Sequence, residues 1–260
     1  MENKEIQNEA EKDSLIIFGR NPVTEALRSG REIDKLLVAK GQNGGPVQAI
    51  IAKCAKRGIP IKEVPPTKLD FLSGGAAHQG VALFVAAHKY FVLSDILNAA
   101  KEQNEDPFVI ICDELEDPHN LGAIIRTAEA CKVHGIIIPK RRSASLNGTV
   151  AKASAGALEY MKVARVTNLS AAIDTLKENG VWIYGADMDG ENWCENSFSG
   201  GVGLVIGNEG KGISRLVKEK CDKMVSLPMG GKINSLNASV AAGVLMYEVA
   251  RQRKQIKAIN

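Results

Sequence analysis

The chain has 260 residues, 45% of them hydrophobic and 24% charged, which is too long for one small domain and apolar enough for a packed, soluble core. Its formal net charge of +3 does not by itself point to nucleic acid. No apolar run approaches the roughly 18 residues a membrane-spanning helix needs.

Met1–Asp13 is charged and polar, unlike a secretory leader, and is expected to be a frayed tail. From Ser14 strand and helix patterns alternate. Leu15–Gly19 reads as a strand, and Asn21-Pro22 offers an N-cap and a first-turn proline for a helix through Leu27. Ile33–Ala39 reads as a strand, and Val47, Ile50, Ile51 and Cys54 keep helical spacing. Ile61–Val64 is a short strand, Leu69–Leu72 a short helix and Gly80–Ala86 another strand. Ser94–Ala100 looks helical and Lys101–Pro107 is polar. The expected division is therefore a tail at 1–13, a small module at 14–92, a linker at 93–107 and a second domain at 108–260.

Beyond the linker, Phe108–Cys112, Gly135–Ile138, Val181–Tyr184 and Gly203–Ile206 are apolar without alternation. Such runs fit strands covered on both faces, so the expected class is α/β with a mostly parallel sheet and helices on both faces. One helix is predicted at Leu121–Val133, with Leu121, Ile124, Ile125 and Ala128 on one face. Another follows Asn168-Leu169-Ser170 and stops at Gly180, and the last runs from about Leu236 to Arg253, with Val240, Val244 and Tyr247 in register.

The five cysteines (Cys54, Cys112, Cys131, Cys194, Cys221) are scattered and odd in number, as expected of small side chains in a reducing compartment. His78, His88, His119 and His134 show no metal-ligand spacing, so no metal is expected. Gly207, Gly210 and Gly212 follow an apolar strand and precede a helix beginning near Ile213. Their G-x-x-G-x-G spacing is neither the dinucleotide fingerprint nor a P-loop, which disfavours a nucleotide-dependent oxidoreductase. Arg126 falls off the apolar stripe of its helix, so it is either a solvated arginine near Glu129 or a functional one. Ser235 and Asn237 stand where a helix N-cap is needed, which alone would justify either residue. Basic residues cluster at Lys140-Arg141-Arg142 and Arg251-Gln252-Arg253-Lys254, as phosphate contacts require.

Asn120-Leu121-Gly122-Ala123-Ile124-Ile125-Arg126, Leu204–Gly212, and Leu227-Pro228-Met229-Gly230-Gly231 followed by Asn234-Ser235-Leu236-Asn237-Ala238-Ser239, taken in this order and spacing, resemble the SpoU/TrmH-type RNA 2′-O-methyltransferases. Phe18-Gly19-Arg20-Asn21-Pro22-Val23 and His78-Gln79-Gly80-Val81 extend the resemblance to the family's small N-terminal module. The resemblance implies the SPOUT fold, with a deep C-terminal trefoil knot, preceded by an RNA-binding domain like ribosomal protein L30e. It implies S-adenosyl-L-methionine as cofactor, held by Gly207, Asn208, Glu209, Gly210, Leu227, Met229, Ser235, Leu236 and Asn237. It implies catalytic roles for Arg126, Asn120, Glu209, Ser235 and Asn237, and RNA contacts for Arg20, Asn21, Arg126, Lys140 and Arg141. His119 is a minor candidate base. Asn208, where relatives often carry a small residue, is a departure. The implied protein is a cytoplasmic homodimer acting on RNA, most closely like enzymes that methylate a guanosine ribose in 23S rRNA. A tRNA enzyme and a non-catalytic RNA-binding protein on the same scaffold remain as alternatives.

Overall fold

The computed structural model describes residues 15–29, 32–42, 44–86, 88–233 and 235–253. The expected tail at 1–13, Asn234 and Lys254 lie outside these. The chain divides into two compact units, one running to Lys89 and including Ser145–Thr149, the other made of Tyr90–Ala144 and Val150 onward.

The first unit has a four-stranded sheet in the order β1-β4-β2-β3: β1 (Leu15–Phe18), β4 (Val81–Val85), β2 (Ile33–Ala39) and β3 (Ile61–Val64). Only β2 and β3 pair in parallel. Side chains alternate across β2. Leu36 and Val38 join a core with Val23 and Leu27 of α1 (Arg20–Arg28) and Val47 and Ile50 of α2 (Gly45–Lys56). Leu37 and Ala39 pack on the other side with Leu69 of α3 (Pro66–Ser73) and Phe84. The start of α1 differs from expectation. Its N-cap is Gly19, at φ 87°, rather than Asn21. The glycine takes a left-handed backbone that other residues resist, and the side-chain oxygen of distant Gln79 accepts the Arg20 N–H at 2.9 Å.

The second unit is built on a six-stranded, wholly parallel sheet in the order β10-β8-β9-β5-β6-β7. The strands are β5 (Phe108–Cys112), β6 (Gly135–Pro139), β7 (Val163–Val166), β8 (Val181–Asn192), β9 (Gly201–Ile206) and β10 (Lys223–Ser226). On one face α4 (Leu93–Glu102) and α7 (Leu169–Glu178) bury Ile96, Leu97, Ile173 and Leu176 against Val109, Ile111 and Val205. Residues 93–102, within the stretch expected as a linker, thus form a helix whose apolar side chains belong to this core. The helices α5 (Pro118–Ala130) and α9 (Ala238–Gln252) pack on each other, and α9 also contacts β9. Two short helices, α6 (Gly148–Ala153) and α8 (Arg215–Lys218), complete the set. No helix among the described residues is long and apolar enough to cross a membrane.

The face of α9 differs from the predicted one. Ala242, Leu245, Met246 and Val249 are buried, whereas Val240, Val244 and Tyr247 are exposed. The helix is apolar on two sides, and spacing alone does not say which side meets the sheet. The exposed stripe lines a groove of about 790 Å³ with Ala123, Thr127 and Trp193.

Candidate active site

The C-terminal ends of neighbouring parallel strands β5 and β9 lead into the two loops that carry the predicted motifs. After β5, Asp117 caps α5 by accepting the His119 N–H at 2.9 Å, with Pro118 in the first turn. The helix therefore begins three residues before the predicted Leu121, and Asn120 lies in its first turn. Asn120 is 5% exposed, and its side chain reaches out of the helix. His119 is exposed, with its backbone used by the cap. A Cβ on Gly122 would fall 2.4 Å from Ala153 Cβ, so glycine permits α5 to touch the end of α6 there.

After β9, the chain turns tightly. A Cβ on Gly207 would lie 2.3 Å from the Gly212 carbonyl carbon, so only glycine allows the two limbs to cross. Asn208 N donates to Gly212 O at 3.0 Å and Gly212 N returns to Asn208 O at 2.8 Å. Asn208 Oδ1 accepts from Gly210 N at 3.0 Å and Lys211 N at 3.1 Å, and its Nδ2 donates to Glu114 O at 3.1 Å. Asp113, which sequence reasoning did not single out, is buried and accepts the Ser214 N–H at 2.7 Å. The available signal was an acidic residue closing an otherwise apolar strand.

Asn237, rather than Ser235, caps α9. Its Oδ1 accepts from Ser239 N at 2.9 Å, Val240 N at 3.3 Å and Ser239 Oγ at 2.6 Å. Its Nδ2 donates to Asn120 Oδ1 and to Glu209 Oε1, each at 3.0 Å, and Asn120 Nδ2 also donates to Glu209 Oε1. Three of the predicted residues, from three distant segments, thus close one side-chain network. Arg126, on the same helix as Asn120, is exposed and has no hydrogen-bond or ion-pair partner among the described residues. Ser235 is exposed, and Leu227 is half-buried. Met229 and Leu236 leave 37% and 40% of their surface uncovered. Cβ positions on Gly210, Gly230 and Gly231 meet no protein atom closer than 3.6 Å.

The basic clusters resolve unequally. Arg141 is exposed, and Lys140 is half-buried with its backbone N–H on Val166 O at 2.8 Å. Arg142 is paired with Glu114. The described residues of the C-terminal cluster bond within the protein. Arg251 forms two hydrogen bonds to Glu248 and holds that carboxyl below the usual range. Gln252 receives Phe198 N at 2.8 Å and donates to Asn196 O at 3.0 Å. Arg253 donates to the carbonyls of Asp106, Pro107 and Gly200 and lies over the Phe108 ring. Gln252 and Arg253 thus tie the end of α9 to the segments leading into β5 and β9. Arg20 is half-buried and Asn21 exposed at the start of α1 in the first unit.

Cys54, Cys112 and Cys131 are buried, and burial pushes the Cys112 thiol up to about 12. They serve as apolar filling.

Residues 16–91 match the family model described as RNA 2′-O ribose methyltransferase substrate binding, and residues 107–247 match that of the SpoU rRNA Methylase family. A Bacillus subtilis protein named for the TrmH family of tRNA/rRNA methyltransferases is 52% identical over 241 residues, which make up 92% of this chain and 96% of the relative. Among solved structures, the AdoMet-bound rRNA methyltransferase of Sinorhizobium meliloti has a TM-score of 0.58 at 25% identity, covering 95% of this chain and 93% of its own. The A. aeolicus TrmH/SpoU tRNA modifying enzyme has a TM-score of 0.53 at 28% identity, covering 64% of this chain and 86% of its own. The chain belongs to the SpoU/TrmH family of RNA methyltransferases.

Proposed function

We propose that this protein transfers a methyl group from S-adenosyl-L-methionine to a ribose 2′-hydroxyl of RNA, with a guanosine of 23S rRNA as the target. The observation that carries the reading is the network of Asn120, Glu209 and Asn237, with Arg126, unpartnered among the described residues, on the helix of Asn120. The residues present fit the donor. Uncovered apolar side chains at Met229 and Leu236 suit an adenosyl group, and the open glycines let backbone N–H and C=O groups approach it. S-adenosyl-L-methionine supplies an electrophilic methyl on its sulfonium, so the protein's task is alignment and hydroxyl activation. Gly207, Glu209, Gly210, Leu227, Met229 and Ser235–Asn237 would hold the donor. Arg126 keeps its proton at all working pH values. It meets the ribose oxygen or the adjacent phosphate and stabilises charge developing on the attacking oxygen.

The same reading includes a trefoil knot. The return of Asn237 from beyond β10 to the β9 loop supports it. It also includes a homodimer, supported by the apolar groove left open along α9 and α5, and a first unit of the L30e type that, through Arg20 and Asn21, joins Lys140 and Arg141 in gripping RNA. Its mixed four-stranded sheet supports that assignment. A ribosomal RNA target is favoured because the rRNA-modifying neighbour covers both units, whereas the tRNA-modifying one covers 64% of this chain. The test is mass-spectrometric mapping of ribose methylation in rRNA and tRNA from cells with and without the protein. It is followed by transfer to a transcript carrying 2′-deoxyribose at the mapped site. Loss of one rRNA ribose methyl, and no transfer to the deoxy transcript, is expected. A missing tRNA mark would move the substrate to tRNA, and no missing mark would leave a binding protein.

A further inference from the structure

We infer that Asn208 is a positioning residue for methyl transfer, acting through Glu209 without touching donor or RNA. The inference rests on the function proposed above. An amide side chain has two N–H groups and one carbonyl oxygen. In Asn208 the oxygen already accepts from Gly210 N and Lys211 N, and Nδ2 donates to the Glu114 carbonyl. Little of its hydrogen-bonding capacity is left for a ligand, although its place in the glycine loop suggests ligand contact.

Those bonds do something specific. The paired Asn208 and Gly212 backbones close a five-residue ring, and the Asn208 amide spans its inside. Glu209 is the exposed side chain on that ring that meets the other two site residues. The far end of the loop is tied by Ser214 N to buried Asp113. Both ties end on the segment joining β5 to α5, and Asn120 lies in the first turn of the helix that this segment leads into. The Asn208–Glu114 bond therefore fixes the spacing between the β9 loop and the helix start, and so the reach from Glu209 to Asn120 and Asn237. A serine at this position keeps one oxygen for Gly210 and Lys211 but is too short to donate to Glu114. Alanine loses both sets.

The test compares the full-length chain with Asn208→Ala and Asn208→Ser. Three readouts are taken: turnover on an rRNA transcript, calorimetric binding of S-adenosylhomocysteine, and amide hydrogen exchange. Asn208→Ala should lower kcat by ~100-fold, the scale of a misplaced site, with KM for RNA unchanged. Exchange should quicken at Gly210 and Lys211 while β5 and β9 amides keep their protection. Asn208→Ser should recover part of the loss. The inference is overturned if Asn208→Ala turns over like wild type, if protection is lost throughout β5 and β9, or if the serine variant is no better than alanine. Wild-type protein that neither binds S-adenosylhomocysteine nor methylates RNA sinks the functional reading beneath it. Competent wild type with indifferent variants sinks this inference alone.

Discussion

Asn237 carries two loads that substitution separates. Its oxygen caps α9, and its amide nitrogen ties Asn120 to Glu209. Alanine removes both. Loss of the cap costs about 1 kcal/mol, and loss of a hydrogen bond to an ionised carboxylate costs about 1.5 kcal/mol, taken at the low end because Glu209 is exposed. The sum, about 2.5 kcal/mol, lowers Tm by roughly 5–10 °C at this domain size. Serine retains a capping oxygen and removes only the donors, so Asn237→Ser should lose about 1.5 kcal/mol and melt above the alanine variant. Turnover behaves differently. With the network open, both variants should fall by roughly 100-fold, and serine should give no advantage. Thermal denaturation by circular dichroism and methyl incorporation into rRNA give the two readouts. An Asn237→Ser protein with wild-type turnover would show that the residue is only a cap, and the site argument would fail.

Arg126→Lys should leave Tm unchanged, because the side chain is exposed and unpartnered among the described residues, yet abolish most transfer in a filter-binding assay, because lysine lacks the planar fork. Gly207→Ala forces a Cβ to within 2.3 Å of the Gly212 backbone, so the loop must open, and S-adenosylhomocysteine binding should vanish in calorimetry while the sheet still folds. Val244→Glu, on the exposed stripe of α9, should yield a monomer by sedimentation if copies associate there; unchanged mass would remove that interface. His134 accepts the Phe108 N–H at 3.0 Å, and burial holds its pKa below the usual 6.5. The unfolded chain takes up the proton first, so this contribution is full above about pH 6.5 and is lost as pH falls toward the lower folded value. Urea titrations from about pH 8 to about pH 5 should show a steeper acid loss in wild type than in His134→Gln.

The interior strands were legible because they are buried on both faces and carry unbroken apolar runs, as β5 and β9 do. The sheet's edges were not. β7 holds Arg165 and β10 holds Lys223, and charged edge strands escape a search for apolar runs. β8 outran its predicted end at Tyr184. Its partner register on β10 jumps from Gly185 to Glu191, so a polar bulge interrupts a strand that then resumes. Two helix starts were misread. A long-range partner, Gln79, serves the start of α1, whereas the local Asp117-Pro118 pair, passed over in the sequence, starts α5 three residues before Leu121. The two basic clusters look alike in sequence. Arg253 differs only in the three carbonyls the fold puts beside it.

The site's position follows from strand order. In a parallel sheet all strand C-termini share one edge, and ligands gather there. Because β5 and β9 are neighbours, the loops after them must meet; the first leads into the α5 turn that carries Asn120, and the second carries Glu209. Asn237 arrives by a different route. It opens α9, which packs beside α5, and Asn120 sits in the first turn of α5. Two helix N-termini therefore converge on one carboxylate. Partial positive charge at both ends favours that anion, and the two asparagine amides saturate one of its oxygens. Glu209 is thus a hub whose charge suits its place. The glycines at 207 and 212 matter chiefly because they let the backbone deliver it there.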